Sequence, residues 1–362
     1  MTTVADLPTP ALLLDLDRLD ANIASMADRC FRLGVSLRPH LKTHKCVEIA
    51  RRQRANGARG VTVSTLYEAQ VFADHGFHDI TWAFPVILNR LQEAERLADR
   101  VQLRLTIDSQ PAWEALVRCG HPFHVWLKID CGYHRAGMDP AALETMTLAR
   151  KLADSPGLTF DGLLTHSGHA YAATSRGEIK RIAEQERRTV ADLRERLAAD
   201  GIHVAASVGS TPAMSVVASL DGVTEARPGN YVFYDATQVA LGSCCAATCA
   251  VTVLASVVSR QAGAGHCVVD AGALALSKDE GPPRPRPTMG RIFAEYDSGV
   301  LHQEMHLRSV SQEHGIVTAP LPVGSRVRIL PNHSCLTTAC FDEYYVVSAE
   351  EVVDRWKIWR GR

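Results

Sequence analysis

No stretch of this chain approaches the roughly 20 apolar residues that a membrane-spanning helix needs. Met1 to Pro10 also lack the basic start and apolar run of a secretory signal. A surplus of charge of either sign is missing too. With 39 basic and 40 acidic residues the formal net charge is −1, which leaves no electrostatic footprint for a nucleic acid or an anionic membrane surface. Gly-x-Gly-x-x-Gly and Gly-x-Ser-x-Gly do not occur, which argues against a dinucleotide-dependent dehydrogenase and an α/β-hydrolase. What remains is a soluble, cytoplasmic protein whose partner is a small molecule. Cysteine is not scarce, but the ten are scattered without the spacing of a disulfide framework, so they are expected to be reduced and mostly buried. Cys244, Cys245 and Cys249 fall in a small-residue apolar stretch and read as compact hydrophobes.

At 362 residues the chain suits a large barrel with a smaller domain, or two medium domains. The N-terminal two thirds alternates short β-branched or apolar runs with segments of helical period. In the first helix Leu19, Ile23, Met26 and Cys30 recur at three- and four-residue spacing; Asp15 or Asp17 can cap it, and Gly34 stands where a left-handed residue ends it. Strands are expected at 35–42, 60–65, 79–86, 101–108, 123–130, 158–166, 203–210 and 225–235. Eight such units predict a (β/α)₈ barrel over 1–240, with chemistry at the C-terminal strand ends. Beyond it the pattern turns β-rich, as at 249–260 and 325–331, with a proline-rich loop from Gly281 to Pro287. We read 241–362 as a C-terminal β domain, which the strand 11–16 is a candidate to join.

The polar residues at the strand ends are Lys42, Ser64 with Thr65, Asp108, Asp130 with Arg135, His166, Ser210 with Thr211, and Gly229 with Asn230. Lys42 reads either as a solvated loop lysine, like Lys45 nearby, or as an amine made nucleophilic by desolvation. Val208-Gly-Ser-Thr-Pro212 and Arg227-Pro-Gly-Asn230 follow the seventh and eighth strands, where barrels often bind phosphate. Taken singly, Ser210 is a helix cap and Gly229 a turn; together they favour a phosphate cradle. Arg135 suits an anionic oxygen such as a phenolate, and His166 and His169 beside Tyr171 suit proton transfer or a substrate carboxylate. His333 and Cys335, one residue apart, are soft ligands for zinc. Two ligands leave positions for water or substrate, as a catalytic metal requires. His302, Glu304 and His306 lack helical His-Glu-x-x-His spacing and read as a solvated strand face.

Arg38-Pro-His-Leu-Lys-Thr-His-Lys45, Asp130-x-Gly-x-x-Arg-x-Gly137, Gly209-Ser-Thr-Pro212, Pro228-Gly-Asn-Tyr-Val-Phe-Tyr-Asp235, Ser311-Gln-Glu-His-Gly315 and Pro331-Asn-His-Ser-Cys335 together resemble the D-serine dehydratase and D-threonine aldolase family. The resemblance runs over nearly the whole chain. It implies a fold type III pyridoxal 5′-phosphate enzyme, alanine racemase-like, with a barrel followed by a β domain, and a homodimer. Carried over, it makes Lys42 the Schiff-base lysine and α-proton base. Arg135 would lie near the cofactor phenolate, and Tyr171, Thr211, Gly229 and Asn230 would contact the cofactor, chiefly its phosphate. His333 and Cys335 would bind a divalent metal. The dehydratase branch of the family uses His-x-Cys with zinc, the aldolase branch His-x-Asp with manganese or magnesium, as ligand softness explains. Cys335 thus points to β-elimination of water from a 3-hydroxy-D-amino acid, giving a 2-oxo acid and ammonia.

The first alternative is cleavage of Cα–Cβ to glycine and an aldehyde, with His166 taking the hydroxyl proton. More remote are a non-catalytic cofactor carrier, against which the second domain and His333-x-Cys335 argue, and a racemase, for which no second base stands out. Two departures from the family pattern are Leu164, where some members place a tyrosine, and Gln312, in place of a frequent acidic residue.

Overall fold

The computed structural model describes residues 2–282 and 287–362, so Pro283 to Arg286 of the expected proline-rich loop lie outside the described residues. The chain divides into two compact units. One comprises residues 26–42, 49–229 and 361–362; the other comprises 1–25, 43–48 and 230–360.

Before the barrel runs β1 (Ala11–Asp15), followed by the helix Leu16–Arg32. The helix carries its apolar residues on one stripe, and Leu19, Ile23, Met26 and Cys30 are all buried, as their spacing predicts. Asp15 Oδ1 accepts the Arg18 N–H at 2.9 Å, capping the first turn. Gly34, at φ 69°, ends the segment in the left-handed region open to glycine.

The barrel strands are β2 (Ser36–Leu37), β3 (Val61–Val63), β4 (Asp79–Pro85), β5 (Gln102–Ile107), β6 (His124–Lys128), β7 (Thr159–Leu164), β8 (Ala205–Val208) and β9 (Glu225–Ala226). Each falls inside an expected segment and is shorter than it. They pair in parallel in the order β2-β9-β8-β7-β6-β5-β4-β3. A bridge between His40 and Thr62, with Thr62 N–H donating to the Pro39 carbonyl at 2.9 Å, joins the two ends of the row. The ladder therefore has no free edge there. The eighth strand is the largest departure from the sequence reading: it stops at Ala226, and Pro228 and the short helices Asn230–Val232 and Ala236–Ala240 replace the rest. Proline donates no ladder hydrogen bond, so Pro228 is a physical stop.

The barrel interior holds charge as well as apolar side chains. Arg38 bonds Glu225 at 2.8 Å and Asp79 at 2.5 and 3.0 Å, and Glu225 takes the Ser207 hydroxyl at 2.5 Å. Arg227 donates to Ser207 Oγ and to the Thr165 carbonyl. Each of these three ions, Arg38, Glu225 and Arg227, thus has a partner, which burial of charge requires.

The other unit is built on β10 (Val251–Gln261), β11 (His266–Val269), β12 (Gly290–Glu295), β13 (Val300–Val310), β14 (Gly315–Val317), β15 (Arg326–Leu330), β16 (Glu343–Ser348) and β17 (Glu351–Lys357). β11 pairs with both β10 and β14, so β10, β11, β14, β13, β12 and β15 close on one another. β1 lies between β10, to which it is antiparallel, and β16, to which it is parallel. Leu12, Leu13 and Leu14 are fully buried there, and Leu13 packs with Val4, Leu7, Leu254 and Val347. All ten cysteines are free thiols, and Cys249 packs as a hydrophobe beside Ala236, Ala246, Phe293 and Leu330. Among the described residues no helix is long and apolar enough to cross a membrane.

Candidate active site and metal ligands

Because β2 is only two residues long, the chain leaves the ladder early, and Lys42 lies in the single helical turn Leu41–Thr43 that follows. Lys42 lines a cavity of about 410 Å³ together with His40, Ser64, Lys128, Arg135, Leu164, His166, Gly209 and Arg227. The set contains cations and neutral groups but no carboxylate. Such a lining favours an anionic occupant.

His166, beyond the end of β7, shares a 2.7 Å hydrogen bond between Nδ1 and the Gly209 carbonyl. A carbonyl only accepts, so the proton sits on Nδ1 and Nε2 carries the lone pair. Burial, and then the nearby Lys42 charge, hold its pKa well below the usual imidazole range, so His166 is neutral and can accept a proton. Arg135 is exposed, its guanidinium 4.9 Å over the Tyr133 ring. Asp130 accepts the Gly132, Tyr133 and His134 N–H groups at 2.9 to 3.0 Å, so it shapes the Arg135 loop and does not line the cavity. Asp108 takes the Gly137 N–H at 3.0 Å in the same supporting role.

Ser210 caps its helix: Oγ accepts the Ala213 N–H at 3.3 Å and lies 3.2 Å from Ser167 Oγ. Ser210 and Thr211 are buried, and Gly209 alone of this stretch lines the cavity. Gly209 has φ 140°, and a Cβ there would lie 2.7 Å from the Arg227 backbone nitrogen. The Ser210 and Gly229 N–H groups meet no acceptor among the described residues, so they are available to phosphate oxygens. Tyr171, in the short helix Gly168–Ala172, is not among the lining residues.

Lys128 and Glu186 escaped the sequence reading, and Arg227 entered it only as the first residue of Arg227-Pro-Gly-Asn230. Lys128, at the end of β6, has its pKa pushed down to about 8, mainly by burial and then by Arg227 and Arg135. Its position as the last residue of an apolar strand, seven before Arg135, was the available signal. Arg227 is fully enclosed, and burial brings even its pKa down to about 10. Glu186, on the helix Arg176–Ala199, accepts the N–H groups of Ser167 at 2.8 Å and Gly209 at 3.2 Å. It ties the loops after β7 and β8 together, which no local pattern announces.

In the other unit, His333 and Cys335 open the helix Ser334–Thr338. The segment is clamped on one flank by Asp235, a buried carboxylate that accepts the Ser334 N–H at 3.0 Å and the Asn230 side-chain amide at 2.7 Å. Asn230 Nδ2 also reaches Ser334 Oγ at 2.9 Å and Cys335 Sγ at 3.9 Å, so its side chain organises this segment. Cys335 Sγ lies 3.3 Å from the hydroxyl of Thr43. His333 Nδ1 meets Asp279 Oδ2 at 2.7 Å. Burial opposes the charge on His333, but the Cys335 thiol as thiolate, with Asp235 and Asp279, raises its pKa to about 10. An imidazole and a thiol facing each other fit a soft divalent cation. Among the described residues no cluster of three or more histidine, cysteine or acidic residues is poised to hold a metal, and His302, Glu304 and His306 form none.

The sequence profile described as the alanine racemase N-terminal domain matches residues 14–237, and that of a putative serine dehydratase domain matches 250–347. The chain is 39% identical to the D-threo-3-hydroxyaspartate dehydratase of Delftia sp. (strain HT23), over 99% of both chains. It is 34% identical to the D-serine dehydratase of Dictyostelium discoideum (98% and 97% covered) and 31% identical to the D-threonine aldolase of Arthrobacter sp. (98% and 93%). The solved structure of the Delftia dehydratase superposes with a TM-score of 0.94 over 100% of both chains at 38% identity. Structures of that protein with a histidine or a cysteine replaced by alanine are also similar, the cysteine variant being described as the metal-free form. The two replaced positions stand two residues apart, as His333 and Cys335 do.

Proposed function

The chain belongs to the D-serine dehydratase and D-threonine aldolase family, and we propose that within it this protein is a dehydratase that removes water from a 3-hydroxy-D-amino acid. The observation that carries the dehydratase choice is the His333–Cys335 pair: a thiolate ligand suits zinc, whereas the aldolase branch pairs histidine with a carboxylate for harder ions. The Delftia and Dictyostelium relatives, both named as dehydratases, support it.

Pyridoxal phosphate fits the barrel cavity, given its cationic lining and the unmet amides of Ser210 and Gly229. Lys42 would hold it covalently, Arg135 would face its phenolate, and the Gly209–Thr211 and Gly229–Asn230 turns, with Tyr171, would hold its phosphate. Bound there, the cofactor supplies an electron sink that acidifies the substrate α-carbon. Once displaced by the substrate amine, the Lys42 amine is free to take the α proton. His166, neutral and with Nε2 unprotonated, is a second proton acceptor that keeps Gly209 in place through its other nitrogen. Leu164 closes one wall with an apolar surface that excludes water. His333 and Cys335 would hold zinc, which supplies a Lewis acid for a poor leaving group. The products are a 2-oxo acid and ammonia; D-serine would give pyruvate. The reading includes a cytoplasmic homodimer, for which light scattering on the purified protein is the direct check.

The test is product analysis on D-serine, D-threonine and D-threo-3-hydroxyaspartate, with and without a chelator. We expect a 2-oxo acid and ammonia, lost on chelation and restored by zinc. Glycine as the dominant product would make the protein an aldolase with His166 as the hydroxyl base. Full activity after chelation would remove His333 and Cys335 from the mechanism.

A further inference from the structure

We propose that Asp279 is a positioning residue for the metal, holding the His333 imidazole so that Nε2 is the nitrogen left to bind. The inference rests on His333 and Cys335 being the ligands. An imidazole can bind a metal through either nitrogen, and the choice is set by what the other one bonds. Here the 2.7 Å contact puts Nδ1 against the Asp279 carboxylate, which fixes the proton on Nδ1 and makes Nε2 more basic.

Asp279 is itself held from both ends. Its carbonyl accepts the Asn332 side-chain amide at 2.9 Å, and the same nitrogen reaches the Thr288 carbonyl at 2.5 Å. Its N–H donates to Ser277 Oγ at 3.2 Å, in a turn where Ser277 itself takes φ 66°. Two consecutive residues, Asn332 and His333, therefore grip the main chain and the side chain of one aspartate, while Asp235 fixes Ser334 on the other flank. A carboxylate that merely formed a surface pair with His333 would need none of this framing. As a surface pair it would contribute little, since Asp279 is 42% exposed.

The experiment measures zinc affinity on the cofactor-loaded protein by competition with a chromophoric chelator. Wild type, Asp279→Ala, Asp279→Asn, Asp279→Glu and Cys335→Ala are compared. We expect Asp279→Ala to bind zinc roughly 10- to 100-fold more weakly. Asp279→Asn should fall between, because its amide oxygen still accepts but carries no charge, and Asp279→Glu should recover much of the loss. The visible absorption of the cofactor and the thermal midpoint of the metal-free protein should stay at wild-type values in Asp279→Asn, which separates positioning from folding. Wild-type affinity in Asp279→Ala and Asp279→Asn, with zinc lost from Cys335→Ala, overturns the role of Asp279 alone. If the wild type holds no zinc, the ligand assignment itself falls.

Discussion

Lys128 has the most consequential environment of any single residue in the barrel cavity. Its amine is buried beside Arg135 and Arg227, and its pKa in the folded chain is about 8 against an ordinary 10.5. Below pH 8 both folded and unfolded chains carry the proton, and the folded state bears the full cost of a buried cation. Between pH 8 and 10.5 the folded chain releases the proton first, the unfolded chain holds more protons, and stability rises with pH. The cofactor-free protein should therefore unfold at a higher urea concentration at pH 9.5 than at pH 7.5 through this group. Lys128→Met should flatten that rise, and an unchanged slope would show that Lys128 is not the source. Lys42, His333 and Cys335 were open to proposal from the sequence because each sits in a short segment whose chemistry is local. Lys128, Glu186 and Asp279 were not, since what makes them matter comes from residues dozens of positions away: Arg227, Gly209 and His333 respectively.

At the scale of elements, the eight barrel strands were all foreseeable from alternation of apolar runs and helical period, but every strand was drawn too long. Parallel strands buried on both faces read as near-continuous apolar runs, without the alternation that would mark where pairing stops. The β8-to-helix turn shows what the boundaries control. Gly209 takes φ 140°, and its Cα approaches the Arg227 backbone too closely for a side chain. Gly209→Ala should cost about 2–3 kcal/mol in unfolding free energy, combining backbone strain and the clash. Because the Gly209 carbonyl also accepts from His166 and its N–H donates to Glu186, the cofactor should bind more weakly as well. An alanine variant with wild-type cofactor affinity and midpoint would mean that the turn adapts freely. Sequence reading gave Ser210 two roles, cap and phosphate ligand; the structure realises the cap, leaving its N–H as the available donor.

For the whole molecule, the residues proposed to hold the cofactor covalently and those proposed to hold the metal belong to different compact units. Two observables should therefore separate. Chelation should abolish turnover and leave the visible absorption of the bound cofactor intact, whereas Lys42→Ala should lose that absorption while retaining one zinc per chain. Loss of both signals in either sample would show that the two sites are not independent. The residues that define the units are not contiguous, which is why no composition shift in the sequence could draw their limits. The placement of β1 carries this furthest. Residues Ala11 to Asp15 precede every other strand described, yet Leu13 pairs with Thr252 on one side and with Tyr345 on the other. Leu12, Leu13 and Leu14 cannot take their native places until residues 251–254 and 345–347 are present to pair with them. Completion of this unit is then of high contact order, a slow folding step that leaves apolar strand surface open to chaperone capture.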